Sequence, residues 1–115
     1  MAQGPERLLQ KKVRAFLLSE KRNGSPLWFQ KIQDVSTAGI PDFIGAYNSV
    51  FWALELKAPG KVPTRLQELT LAEIRAARGI GHWVDNYDDF ILFYRGLQQL
   101  AGQDPLRTIR LHDAS

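Results

Sequence analysis

The sequence contains no cysteine, and this absence excludes several kinds of site at once. Without cysteine the chain has no disulfide, no thiol nucleophile and no cysteine-ligated zinc or iron–sulfur centre. Long apolar runs are missing as well, since no stretch reaches the roughly 18 consecutive apolar residues that indicate a membrane-spanning helix. The first residues also lack the apolar core of a secretory signal peptide. We therefore expect a cytoplasmic protein that does not associate with membranes.

Composition and charge limit the class of protein. A chain of 115 residues, 44% hydrophobic and 23% charged, is typical of one soluble globular domain, which we expect to span residues 1–115. The net charge of +3 and the pI near 9.5 are compatible with a polyanionic partner. Many small soluble domains are mildly basic, so charge alone does not establish such a partner.

Hydrophobic periodicity and turn signals predict an α/β fold in which helices flank a small mixed sheet. Pro5 and Glu6 are typical of a helix start, and Thr64 and Asp88 are predicted to cap the second and third helices. The predicted elements, in the order α-β-β-β-α-β-α, are Pro5–Arg22, Leu27–Lys31, Phe43–Tyr47, Val50–Leu56, Arg65–Arg78, Ile80–Asp85 and a helix from Asp88 to about Leu100. The buried stripe of the second helix is predicted to consist of Leu66, Leu69, Ile74 and Ala77. Residues Arg107–Leu111 have the composition of a further edge strand.

A predicted β-hairpin is the most informative part of the chain. The apolar runs Phe43–Tyr47 and Val50–Leu56 flank a short polar break, which is typical of two antiparallel strands. A loop of two or four residues pairs these strands so that Asp42 lies opposite Glu55, whereas an odd-length loop shifts the register by one residue. Opposed side chains have Cβ atoms about 4.5–5.5 Å apart, where like charges are destabilising. The opposed carboxylates therefore indicate a site for a divalent cation.

The second hairpin strand places a positively charged side chain, Lys57, beside this pair of acids. Side chains alternate between the two faces of a strand, so Lys57 shares a face with Glu55 and, across the hairpin, with Asp42. All three lie at the strand ends, beside the loop Ala58-Pro59-Gly60. Reactive groups are commonly found in such places, because the sheet positions them and the loop leaves room for a substrate.

This arrangement resembles the PD-(D/E)xK nuclease superfamily, in which Pro-Asp at the start of one strand precedes Glu-x-Lys at the end of the next. Here the motif reads Pro41-Asp42 and Glu55-Leu56-Lys57. Within the superfamily, the wording GIPD…ELKAPGK…Q is similar to the VRR-NUC type, whose small standalone members are bacterial or phage-encoded. The resemblance extends from Glu6 to about Asp89 and implies a restriction-endonuclease-like core.

The resemblance also implies a role for each matching residue. One or two Mg²⁺ or Mn²⁺ ions would be held by Glu6, Asp42, Glu55 and the backbone carbonyl of Leu56. Lys57 matches the lysine that orients or helps to deprotonate the attacking water, and Gln67 matches a helix residue near the phosphate. The basic residues that follow the active-site loop, and are suited to contacts with a DNA backbone, are Lys61, Arg65, Arg75 and Arg78.

The chemistry of phosphodiester hydrolysis accounts for these residue types. The reaction needs a nucleophilic water, an in-line path and stabilisation of charge on the phosphate and leaving oxygens. Mg²⁺ takes oxygen ligands, usually one or two carboxylates together with waters and substrate phosphate. The Lys57 ammonium can hold the nucleophile or offset phosphate charge, and it can act as a base if its pKa is depressed. No serine fits this role, and the only histidines are His82 and His112.

Each of these residues also has a purely structural interpretation. Asp42 can cap a turn after proline, and Glu55 with Lys57 can form the exposed face of an edge strand. Glu6 can simply complement the helix dipole, and Gln67 can be a solvated helix residue. The predicted opposition of the two acids favours the metal site, because the structural interpretation leaves two carboxylates repelling each other.

Two hypotheses of different classes follow. The first is a DNA endonuclease that depends on Mg²⁺ or Mn²⁺, needs no nucleotide cofactor, and cuts branched DNA such as Holliday junctions or flaps as a homodimer. The second is a non-catalytic nucleic-acid-binding module of the same fold, which would be expected to have lost an acid or the lysine. Among enzymes, an exonuclease or a restriction-type nuclease is the nearest alternative.

Overall fold

The computed structural model describes residues 4–33 and 38–101. The chain forms seven elements in the predicted order α-β-β-β-α-β-α. They are α1 (Pro5–Arg22), β1 (Leu27–Lys31), β2 (Phe43–Tyr47), β3 (Val50–Leu56), α2 (Arg65–Ala76), β4 (Ile80–Val84) and α3 (Tyr87–Ala101). The predicted edge strand Arg107–Leu111 lies outside the described residues. Within the described ranges, no helix combines the length and hydropathy needed to cross a membrane.

The four strands form one mixed sheet in the order β1-β2-β3-β4. β2 is antiparallel to both β1 and β3, and β4 runs parallel to β3. Tyr47 pairs with Val50, so the predicted hairpin register is confirmed. Asn48 and Ser49 form the two-residue loop with φ of 47° and 82°, because the positive-φ turn matches the right-handed twist of the strands.

The apolar core lies between one face of the sheet and the helices α1 and α3. Trp52, Leu54 and Leu56 alternate along β3 and are all fully buried on this face. The aromatic ring of Phe16 on α1 makes edge-on contacts with Phe90 and Tyr94 on α3, at centroid distances of 5.5 and 5.0 Å. The alternate side chains of β3, including Glu55, point to the opposite face of the sheet, away from this core.

The helix α2 packs over β3 and β4 on the opposite face, and its buried stripe differs from the prediction. Leu66 and Leu69 are each 54% exposed, whereas Leu71 is 1% exposed. Gly81 of β4 lies directly beneath Leu71, since a Cβ at that glycine would come within 2.6 Å of the Leu71 carbonyl oxygen. This close approach orients the helix so that only a narrow strip faces the sheet. Ala77 is exposed as well, because α2 ends at Ala76 and not at the predicted Arg78.

Local hydrogen bonds at the helix ends explain the other differences from the predicted boundaries. The N-cap of α3 is Asn86 and not Asp88, because the Asn86 side-chain oxygen accepts from the backbone N–H of Asp89 at 2.8 Å. Arg78 adopts φ of 72° just after α2, where a Schellman-type turn joins the Gly79 N–H to the Ile74 carbonyl at 2.9 Å.

Candidate active site

Asp42 and Glu55 meet at the edge of the sheet, where β2 begins and β3 ends. The pairing of Phe43 with Leu54 places the next residues outward, Asp42 and Glu55, opposite each other as predicted. The Asp42 side chain extends the ladder, since its Oδ2 accepts from the Leu56 backbone N–H at 2.8 Å. The backbone carbonyl oxygen of Asp42 accepts from the Ile32 N–H, also at 2.8 Å. Asp42 is therefore held by β1 on one side and β3 on the other.

Glu55 is an acid in an environment that disfavours its charge. Its side chain is only 4% exposed. Burial, together with the charge of the neighbouring Asp42, raises the pKa of Glu55 to about 9, and the nearby Lys57 ammonium only partly opposes this. The Oε2 atom of Glu55 is buried without a hydrogen-bond partner. When both acids are ionised neither can donate to the other, so this oxygen requires either a proton shared with Asp42 or a cation.

The side-chain amide of Gln67 bridges Glu55 and Lys57. Its Nε2 donates to Glu55 Oε1 at 3.1 Å, and its Oε1 accepts from Lys57 Nζ at 3.2 Å. The same Oε1 accepts from the Thr64 N–H at 2.8 Å, while Thr64 Oγ1 accepts from the Gln67 N–H at 3.2 Å. This capping box at the start of α2 fixes the amide orientation, because both donors face Oε1. Gln67 is thus a helix cap and a site residue at once.

The first helix contributes two further side chains to this edge of the sheet. Gln10 Nε2 donates to Asp42 Oδ1 at 3.3 Å. Glu6 lies one helical turn earlier and lines the same cavity as Gln10 and Asp42, and its charge contributes to the raised pKa of Glu55. Sequence reasoning identified Glu6 but missed Gln10. Gln10 could have been identified because it lies four residues after Glu6, and residues at that spacing share one helix face.

The loop after β3 is held close to the site by Asp85, an acid that sequence reasoning did not use. Asp85, at the end of β4, accepts from the Gly60 N–H at 3.0 Å, and this bond lowers the pKa of Asp85. Lys61 and Arg65 are exposed on the loop and on the first turn of α2. Arg75 is used within the fold, since its Nη1 donates to the Gly81 carbonyl at 2.8 Å and secures α2 to β4.

The donor set is suited to a small divalent cation held by few protein ligands. Among residues 4–33 and 38–101, no three His, Asp or Glu side chains are grouped closely enough to hold a metal ion between them. Two carboxylates are nevertheless sufficient for Mg²⁺, which commonly keeps several waters and takes the remaining ligands from the substrate. The unpartnered, buried Oε2 of Glu55 beside Asp42 is the observation that fits a cation here.

A mixed four-stranded sheet flanked by helices, with acids and a lysine at its hairpin edge, is the architecture implied by the PD-(D/E)xK resemblance. No protein-family model and no curated protein sequence matches the chain. A solved structure described as a VRR_NUC domain is similar to it, with a TM-score of 0.67 over 81% of this chain and 97% of the other. The two sequences are 16% identical, so the likeness shows a shared fold. The fold predicted from the motif is confirmed.

Proposed function

We propose that this protein is a divalent-metal-dependent DNA endonuclease that hydrolyses phosphodiester bonds. The observation that carries the proposal is the opposed pair Asp42 and Glu55, with one buried carboxylate oxygen left without a partner. A fold that only had to be stable would have no use for this pair, because keeping Glu55 protonated beside Asp42 at neutral pH costs stability. The VRR_NUC fold supports the same conclusion at the level of architecture.

Each residue of the site then has a defined task. Asp42 and Glu55 hold the cation, with the Leu56 carbonyl as a further proposed ligand. Glu6, which the resemblance matched to a ligand, adds negative charge from the same cavity and is not a third carboxylate on the ion. When bound, Mg²⁺ or Mn²⁺ supplies charge neutralisation on the phosphate and activates the attacking water. Lys57 positions that water or offsets phosphate charge, and Gln67 sets the distance between the Lys57 ammonium and Glu55 through its two hydrogen bonds.

Branched DNA is the proposed substrate class, and a homodimer is the proposed assembly. The exposed side chains beside the site, Lys61 and Arg65, are suited to phosphate contacts, which carry no sequence information by themselves. Selection by DNA shape is therefore favoured over selection by sequence. Two copies related by a two-fold axis would present two sites to a symmetric junction.

The proposal is tested by cleavage of an end-labelled four-way junction beside a linear duplex of matched sequence. Both DNAs are incubated with Mg²⁺, Mn²⁺ or EDTA and with wild type, Lys57→Ala or the control Lys21→Ala, which changes an exposed lysine in the last turn of α1. We expect nicking of the junction that requires the metal, is lost in Lys57→Ala and is retained in the control.

Other outcomes separate the alternatives. Equal cutting of both DNAs would keep the nuclease and remove branch selectivity. Cleavage of a closed circular DNA distinguishes an endonuclease from an exonuclease, and shared sequence at the cut sites would indicate a restriction-type enzyme. Binding without cutting under every metal condition would favour the non-catalytic module. A monomer mass in solution, with no preference for branched DNA, would refute the dimer proposal.

A further inference from the structure

The helix α1 presents a row of cations to the cavity that contains Asp42. Arg7, Lys11 and Arg14 follow one another at i, i+4 and i+7, the spacing of one face of a helix. All three are exposed, and all three line a cavity of about 700 Å³ between α1, the end of β1 and the start of β2. Asp42 forms part of the same cavity wall, so the row leads to the proposed site.

The charge of this cavity, here called the α1 groove, is unbalanced. Lys31 joins the row from β1, with its Nζ 5.7 Å from the centroid of the Phe43 ring. Among the described residues that line the cavity, this gives four cations against the two carboxylates of Glu6 and Asp42. The excess of two positive charges among these side chains attracts an anion to the open cavity. The row by itself is compatible with a solvated helix face, but Lys31 of β1 lines the same cavity, so the cations converge from two elements.

Another lysine of the same helix shows that the row is a distinct arrangement. Lys12 lies next to Lys11 in the sequence, yet its Nζ is placed over the ring of Tyr87 on α3, 4.6 Å from the centroid. Adjacent residues of a helix project about 100° apart, so Lys12 faces α3 and not the groove. The cations that remain at the groove are those on the side of the helix next to β1 and the start of β2.

We propose that the α1 groove binds the sugar–phosphate backbone of the DNA strand that passes through the site, on the side of Asp42 away from α2. This proposal rests on the proposed function and assigns a substrate path to it. The rise of a helix places Arg7 and Arg14 about 10 Å apart along the axis. In a duplex each strand carries one phosphate per roughly 3.4 Å of axis, so a row aligned with that axis spans about three phosphates. Lys61 and Arg65 lie beyond Lys57, so cations would flank Asp42 and Glu55 on both sides.

The test compares two triple variants that lose the same charge. Arg7→Gln/Lys11→Gln/Arg14→Gln removes the row, and Lys21→Gln/Arg22→Gln/Arg95→Gln removes three exposed cations outside the groove. Binding of a fluorescein-labelled 20-nucleotide single strand and of the matching duplex is measured by anisotropy in EDTA, from 50 to 200 mM NaCl. Circular dichroism melting confirms that each variant is folded.

We expect the groove variant to bind about tenfold or more weakly at 100 mM NaCl, and the slope of log Kd against log salt to fall by about 2 to 3, as three lost phosphate contacts require. The control triple variant should keep the wild-type slope. Equal weakening in both triple variants, or no measurable binding by wild type, would overturn the α1 groove as a strand path.

Cleavage assays with Mg²⁺ and Mn²⁺ on the same proteins separate this proposal from the proposed function. If wild type binds through the groove but cuts no DNA, the nuclease proposal fails and the groove stands. If the groove variant cuts and binds like wild type, the nuclease stands and the groove fails.

Discussion

Replacing Glu55 by glutamine should stabilise the metal-free protein at neutral and alkaline pH. The folded state raises the pKa of Glu55 from 4.5 to about 9, so between these two pH values the unfolded chain releases a proton that the folded chain keeps. The free energy of unfolding therefore falls as the pH rises through this range, and Glu55 contributes no further change below or above it. Glutamine is neutral in both states and removes this loss.

The size of the effect follows from the same two pKa values. Each unit is worth about 1.4 kcal/mol, so at pH 7 ionisation of Glu55 in the unfolded chain lowers the free energy of unfolding by about 3 kcal/mol. The amide can keep the local contacts, because its oxygen can accept from Gln67 Nε2 and its NH₂ can donate towards Asp42. We expect Glu55→Gln to exceed wild type by about 3 kcal/mol at pH 7 and to match it near pH 4.5.

Urea denaturation in EDTA at pH 5, 7 and 8.5 measures this difference directly. The quantity compared is variant minus wild type, because other groups such as His82, whose pKa is lowered by burial, titrate in both proteins and cancel. Glu68→Gln, an exposed acid in the first turn of α2, serves as the control and should show no gain that grows with pH. A Glu55→Gln protein that is less stable than wild type at pH 8.5, or a difference that does not grow with pH, would refute the reasoning.

Three further predictions concern the metal, the amide bridge and the hairpin turn. Mn²⁺ should raise the Tm of wild type more at pH 8.5 than at pH 6.5, because binding must displace the Glu55 proton, and it should leave Glu55→Gln unchanged. Gln67→Ala should lose about 1 kcal/mol of stability with the helix cap, measured by urea melts, and most of the cleavage rate, measured in single-turnover assays. Thr64→Ala should lose the same stability but keep more of the cleavage rate. Ser49→Gly should raise stability by about 1 kcal/mol in urea melts, because glycine relieves the left-handed backbone at φ of 82°.

Each of these predictions has a result that contradicts it. A metal-induced Tm rise that is equal in wild type and Glu55→Gln would place the cation elsewhere. Equal rates in Gln67→Ala and Thr64→Ala would reduce Gln67 to a helix cap. A Ser49→Gly protein that melts at or below the wild-type urea midpoint would mean that the serine makes a compensating interaction in the turn.

The hairpin and its acid pair could be predicted from the sequence because both depend on local rules. Side chains alternate along a strand with a period of two, and a two-residue loop leaves one register in which both apolar faces are buried. Asp42 therefore meets Glu55 whatever surrounds the hairpin. The order of elements and the cap at Thr64 were accessible for the same reason, since periodicity and capping are set by neighbouring residues.

The contacts between elements depended on packing and could not be predicted in this way. Leu66 and Leu71 are both apolar residues of α2, and only the seating of that helix on Gly81 decides which of them is buried. Gln10 meets Asp42 only because α1 crosses the start of β2. Arg75 looks like a free cation in the sequence and is bonded to a strand carbonyl in the fold.

The elements, the hairpin register and the residue types of the site thus follow from the amino-acid sequence, because they depend on spacing within a few residues. Tertiary structure alone decided that Gln67 bridges Glu55 to Lys57, that Glu55 is buried deeply enough to raise its pKa, and that the cations of α1 converge on Asp42. These features require segments distant in the chain to be placed within hydrogen-bonding or Coulombic range, and the positions of whole helices on the sheet set those distances.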